Sequence, residues 1–243
     1  MSYFALADKN PPRRAGSDGH LDSGRLSLGM YSAFCANPAS ARIADPLFDL
    51  KCAACDPVPF SPIACHGALR QAILDACQFA LNAARKLEAP RRDARTFDEF
   101  NRIFNHKADL PLPWPGIRDS GARFARRFRA VADALRRSGT HYRCDPCTTI
   151  REDPPPGAII DAHAIAFPPN EVVLCPSFWR LPRFLRASVL IHEMFHLRFD
   201  PCFRHGGCET KRTNAYCYEA FALRMAGHQP EPIVIQNCAG SPP

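Results

Sequence analysis

Val189-Leu190-Ile191-His192-Glu193-Met194-Phe195-His196-Leu197 sets two histidines four residues apart, with a glutamate directly after the first, inside an otherwise apolar run. Residues i and i+4 share one face of an α-helix, so both imidazoles can grip one ion. Two histidine ligands leave a zinc ion coordinatively open, and Glu193 points to the neighbouring side, where a water on the ion would sit. The stretch therefore predicts a helix carrying a hydrolytic zinc site. By chance alone, His-Glu-x-x-His should arise in roughly one chain in a hundred of this length, so context has to decide. The bland alternative is a solvated polar stripe with His196 paired to an acid. Against it, Val189, Leu190, Ile191, Met194, Phe195 and Leu197 make most of the circumference apolar, which predicts burial. Buried histidines and a buried acid need partners, and a metal ion is one.

Upstream and downstream of this helix the pattern predicts an α+β chain. Residues 1–60 are rich in Pro, Gly, Ser and Asp and lack sustained periodicity. They read as a flexible or loosely ordered extension, with Phe48, Leu50 and paired cysteines as local docking points. Ser61 and Pro62 open a helix whose apolar repeat runs to about Leu87. Thr96-Phe-Asp-Glu99 forms a capping box for a short helix ending near His106. An Arg-rich amphipathic helix spans about Asp119 to Arg137, with Gly139 placed to end it. The period then shifts to two over His141–Cys144, Ala162–Phe167 and Glu171–Cys175, which read as strands. Past the His-Glu-x-x-His helix, a last helix spans about Arg212 to Met225. The domain is thus 61–228, and the Pro- and Gly-rich tail 229–243 is expected to be irregular.

Composition bounds the rest. The 243 residues fit one domain with extensions or two small ones, enough for a sizeable core. No run approaches the roughly 20 apolar residues of a membrane span. Net charge is +7, but 26 of the 31 basic residues are Arg. The densest stretch, Arg123 to Arg137, shares its helix with Phe124, Phe128, Val131 and Leu135. A solvated helix face accounts for it, and no nucleic-acid partner is expected. Twelve cysteines, an even count, favour disulfides and a chain secreted or delivered outside the producing cell. The opening MSYFALADKNPPRRAG lacks the apolar core of a secretory signal, so the export route stays open. Cys52/Cys55 and Cys144/Cys147 have Cys-x-x-Cys spacing, but some 90 residues between the pairs weaken a structural zinc reading.

Beyond the zinc motif, several strings resemble one family. These are Tyr142-Arg-Cys144 with Cys147, Ala162-His-Ala-Ile-Ala-Phe167, and Leu174-Cys-Pro-Ser-Phe-Trp179 before the metal helix. Asn214-Ala-Tyr-Cys-Tyr-Glu-Ala-Phe-Ala222 follows it. In this order they are similar to the deuterolysin and peptidyl-Lys metalloendopeptidases, the aspzincins, over residues 62–226. The resemblance implies a zincin-like fold with N-terminal helices, a small sheet and the active-site helix. It also implies one catalytic Zn2+ and disulfides Cys65–Cys144 and Cys147–Cys175. The chain departs from the family in two places. The Gly-Thr-x-Asp-x-x-Tyr-Gly string that carries the third ligand is missing from Arg198–Thr210. Tyr216 also stands where the lysine-specific members have one of two pocket acids, leaving Glu219 alone.

Three residues compete for the third ligand. His205 lies nine residues after His196, close to the family spacing, in a Gly-rich loop. Glu219 lies on a helix about twenty residues downstream, as in thermolysin-like enzymes, while the family pattern makes it a substrate-pocket wall. Asp200 is four residues on and suits an orienting role better. The expected activity is hydrolysis of internal peptide bonds in a protein or peptide substrate. Glu193 would serve as general base, and Tyr216 or Tyr218 would stand in for the family's oxyanion tyrosine. The alternative is a degenerate zincin that keeps the fold as a non-catalytic binding module.

Overall fold

The computed structural model describes residues 47–49, 62–113, 116–136, 140–144, 161–165, 171–199 and 210–240. In chain order the elements are β1 (Leu47–Asp49), α1 (Pro62–Glu88), α2 (Ala94–Phe104), α3 (Ser120–Arg136), β2 (His141–Cys144), β3 (Ala162–Ile165) and β4 (Glu171–Leu174). A 3₁₀ turn (Phe178–Arg180) then leads to α4 (Arg183–Phe199), α5 (Ala215–Ala226) and α6 (Pro232–Gly240). The architecture is α+β, as the periodicity predicts. Among the described residues no helix is long and apolar enough to cross a membrane.

The core forms around α1. Leu69, Ile73, Ala76, Ala80, Leu81, Ala84 and Leu87 repeat at helical spacing and are all buried. Small alanines on that face let α3 approach closely, and α4 and α5 also pack against α1. A second part of the core is aromatic. Phe104 and Phe124 lie 4.6 Å apart between ring centroids, Phe128 and Phe195 5.6 Å, and Phe195 and Tyr218 4.1 Å. These contacts join α2, α3, α4 and α5, so the helix bearing the two histidines is held from several directions. Leu190, Ile191, Met194 and Phe195 are fully buried, matching the burial expected from their spacing.

The sheet runs β1-β2-β4-β3. β2 is parallel to both β1 and β4, while β3 is an antiparallel edge strand pairing Ala162 with Leu174 and Ala164 with Val172. That edge strand packs against α4. The sheet therefore meets the helix that carries His192 and His196 through its edge strand β3.

Several sequence expectations need correction. Within the supposedly loose extension, Leu47–Asp49 pair with His141–Arg143 as a strand; the rest of residues 1–60 lies outside the described residues. Asp93, not Thr96, caps α2. Its carboxylate accepts from the Thr96 backbone N–H at 2.7 Å and from the Thr96 hydroxyl at 2.9 Å, so the helix starts three residues earlier. The hydrogen bond from the Thr96 N–H is the main reason the Asp93 carboxyl sits below its usual pKa. The tail is helical rather than irregular. Pro232 suits a first turn, and Val234 and Cys238, one turn apart, bury against α5. A Cys217–Cys238 disulfide and a hydrogen bond from Asn214 Nδ2 to Asn237 O (3.1 Å) fasten it.

The basic face of α3 is also less solvated than its composition suggests. Arg129 pairs with Glu88 of α1, Arg126 donates to Gly116 O, and Arg127 donates to Arg212 O at 2.7 Å. As for the cysteines, Cys65 is buried in the apolar core and Cys144 is disulfide-bonded. Cys175 is disulfide-bonded, while Cys147 lies outside the described residues.

Candidate metal centre

On α4 the i,i+4 spacing does what the sequence predicts. His192 and His196 turn their Nε2 atoms toward each other at 3.0 Å, with ring centroids 4.8 Å apart and the planes inclined by 63°. Two imidazole nitrogens about 2.0–2.1 Å from one tetrahedral ion would lie roughly 3.3 Å from each other. The observed separation is close to that, so the pair fits a shared cation with little rearrangement. His192 is 6% exposed and Glu193 6% exposed, while His196 is half-buried. Glu193 follows His192 directly, so it projects from the adjacent side of the helix.

α5 supplies the opposing wall. Asn214 caps it by accepting from the Tyr216 N–H at 2.8 Å, and Gly227 ends it at φ 89°. Tyr216 and Glu219 are three residues apart and so share a face, and both meet His192. The Tyr216 ring lies 4.3 Å from the His192 ring, tilted by 63°. Glu219 Oε2 lies 3.1 Å from His192 Nδ1, and its Oε1 accepts from the Ser188 hydroxyl at 2.8 Å. Burial pushes the Glu219 carboxyl up to about 7, against the opposing hydrogen bond from Ser188. Asp161, just before β3, is raised chiefly by burial; the Glu219 charge adds to that rise and a Ser177 hydrogen bond opposes it.

Tyr218, two residues after Tyr216, points to the other side of α5. Its ring packs in the aromatic core against Phe104, Phe124, Phe128 and Phe195. Its hydroxyl donates to Arg212 O at 2.9 Å and accepts from the Arg127 guanidinium. Burial pushes it up to about 12, although Arg127 pulls the other way. The expectation that either tyrosine could serve the site is thus narrowed to Tyr216, because residues i and i+2 of a helix face nearly opposite directions.

Of the three candidates for a third ligand, His205 and Asp200 lie outside the described residues. Glu219 meets His192 at Nδ1, on the far side of the ring from the atom facing His196. Among the described residues no group of three or more His, Cys, Asp or Glu side chains is arranged to hold a metal ion. Ser188 is the one member of this cluster that the sequence reading misses. It lies one turn before His192, a spacing that places it on the same face of α4. Neither the protein-family models nor the curated proteins compared with this chain give a match.

Proposed function

We propose that this chain is a zinc-dependent metalloendopeptidase of the zincin type, with His192 and His196 as two protein ligands and Glu193 as general base. The single observation that carries the reading is the convergence of two Nε2 atoms to 3.0 Å on one buried helix, with a carboxylate on the adjacent residue. A zinc ion there would supply Lewis acidity, lowering the pKa of water toward 7 and polarising a carbonyl. Glu193 would take the proton of the attacking water and pass it to the leaving amine. Tyr216, its ring edge-on to that of His192 and partly exposed, would help to hold a polarised carbonyl. His205 remains the proposed third ligand by its spacing from His196.

The test is metal content and proteolysis measured together. The purified protein should hold about one zinc per chain and cleave an unfolded protein substrate internally. A chelator should stop cleavage and added zinc should restore it, and His196→Ala should lose both metal and activity. Metal-free protein that cleaves at full rate would overturn the proposal.

A further inference from the structure

We propose that Glu219 is a positioning residue of the metal centre, anchored by Ser188 and holding His192 in the tautomer that presents Nε2 to the ion. This rests on the zinc reading above but assigns Glu219 neither as a ligand nor as a pocket acid. The argument starts from the ring. Nδ1 and Nε2 of an imidazole point away from each other, so a group bonded at Nδ1 cannot also reach an ion held at Nε2. Glu219 Oε2 is at Nδ1, 3.1 Å away. With Oε2 as acceptor in this contact, Nδ1 carries the proton and Nε2 carries the lone pair that an ion needs. In the metal-free protein the close His196 Nε2 then donates to His192 Nε2 across 3.0 Å.

The carboxylate is itself fixed. Ser188 and His192 stand one turn apart on α4, and Glu219 bridges them from α5, with Oε1 accepting from the Ser188 hydroxyl at 2.8 Å. Ser188 is fully buried and Glu219 is 4% exposed, so solvent does not compete for the bridge, while Leu185 O at 3.0 Å is an alternative, longer acceptor for the same hydroxyl proton. Tyr216, one turn before Glu219, lays its ring 4.3 Å from that of His192. One face of α5 thus controls both the plane of the His192 ring, through Tyr216, and its rotation, through Glu219.

The test compares Glu219→Gln, Glu219→Ala and Ser188→Ala in the full-length chain. It reads the zinc dissociation constant by chelator competition and the His192 tautomer of the metal-free protein by nitrogen-15 NMR. A glutamine oxygen can still accept from Nδ1 while its amide group faces Ser188. Glu219→Gln should therefore keep the Nδ1–H tautomer and bind zinc within roughly tenfold of the parent, whereas Glu219→Ala should lose the tautomer and weaken zinc by ~10–100-fold. Ser188→Ala should move both readouts the same way by less, and it serves where Glu219→Ala does not fold. Parent-like zinc affinity and tautomer in Glu219→Ala would overturn the proposal in favour of a pocket role. Loss of zinc in Glu219→Gln as complete as in His192→Ala would overturn it in favour of direct ligation. Should the parent bind no zinc, the functional reading fails separately, and the tautomer still decides: Nδ1–H supports the positioning role and Nε2–H overturns it.

Discussion

At the start of α3, Asp119 is buried between Arg92 (2.6 Å) and Arg118 (2.8 Å) and also accepts from the Ala122 N–H at 2.9 Å. On α4, His192 is buried nearly as deeply and His196 partly, but the two atoms that face each other are of the same kind. The Asp119 cluster is complete within the chain: opposite charges meet, the helix N-terminus is capped, and Arg92 is tied down again by Leu87 O at 2.8 Å. The histidine pair meets instead as two like nitrogens 3.0 Å apart, one donating to the other. Both lone pairs are used together only when a cation lies between them. The contrast is between a cluster whose opposite charges neutralise one another and a pair of like groups that, on the function proposed above, would share a cation.

That contrast can be broken by substitution. Glu193→Gln should cost at least about a hundredfold in peptide cleavage while zinc content and melting temperature stay near the parent values. Parent-like cleavage by this variant would remove Glu193 from the mechanism. Asp119→Asn should do the reverse, lowering stability by about 3 kcal/mol in chemical denaturation and leaving zinc content unchanged, since it strands a buried guanidinium. Burial alone would raise the Asp119 carboxyl, but the hydrogen bonds from Arg92, Ala122 and Arg118 outweigh it and hold it below its usual value. Its contribution is therefore fully present above the unfolded carboxyl pKa, about 3.9, and fades as pH falls through the lower folded value. The stability gap between parent and Asp119→Asn should be flat from neutral pH to about 4 and shrink below it. A gap that grew under acid would contradict this.

A smaller effect sharpens the same comparison. A Cβ at Gly121 would lie 2.6 Å from Arg92 Nη2, and that guanidinium cannot swing aside without leaving Asp119. Gly121→Ala should thus destabilise by about 1 kcal/mol, even though helix propensity alone favours alanine. A stabilising result would mean that Arg92 yields and that the cluster is looser than its geometry implies.

Much of the helical frame is legible from spacing. The apolar repeat of α1 places its ends within a residue, and the strands His141–Cys144 and Glu171–Leu174 follow from alternation beside turn residues. The failures have physical reasons. Counting Pro and Gly in the tail hid the Val234/Cys238 pair, whose one-turn spacing makes α6 apolar on one side. Thr96 offered a good capping box, but Asp93 three residues earlier caps more strongly with a charged acceptor. In the site, Tyr216 and Tyr218 were treated as interchangeable, although their separation of two residues already placed them on opposite faces. The Arg-rich face of α3 read as solvated because its partners, Glu88, Gly116 and the Arg212 carbonyl, come from other parts of the chain.

The chain by itself determined that two imidazoles and an acid stand together on one buried helix. That follows from the 3.6-residue period and from the apolar residues between them, which are local properties. Only the tertiary structure decided what meets the far side of His192. Glu219 is 27 residues away, and its contact depends on how α5 lies across α4, on Ser188 one turn below, and on an aromatic core that turns Tyr218 away. Periodicity specifies which residues share a face, whereas the packing of faces against each other specifies which atoms touch.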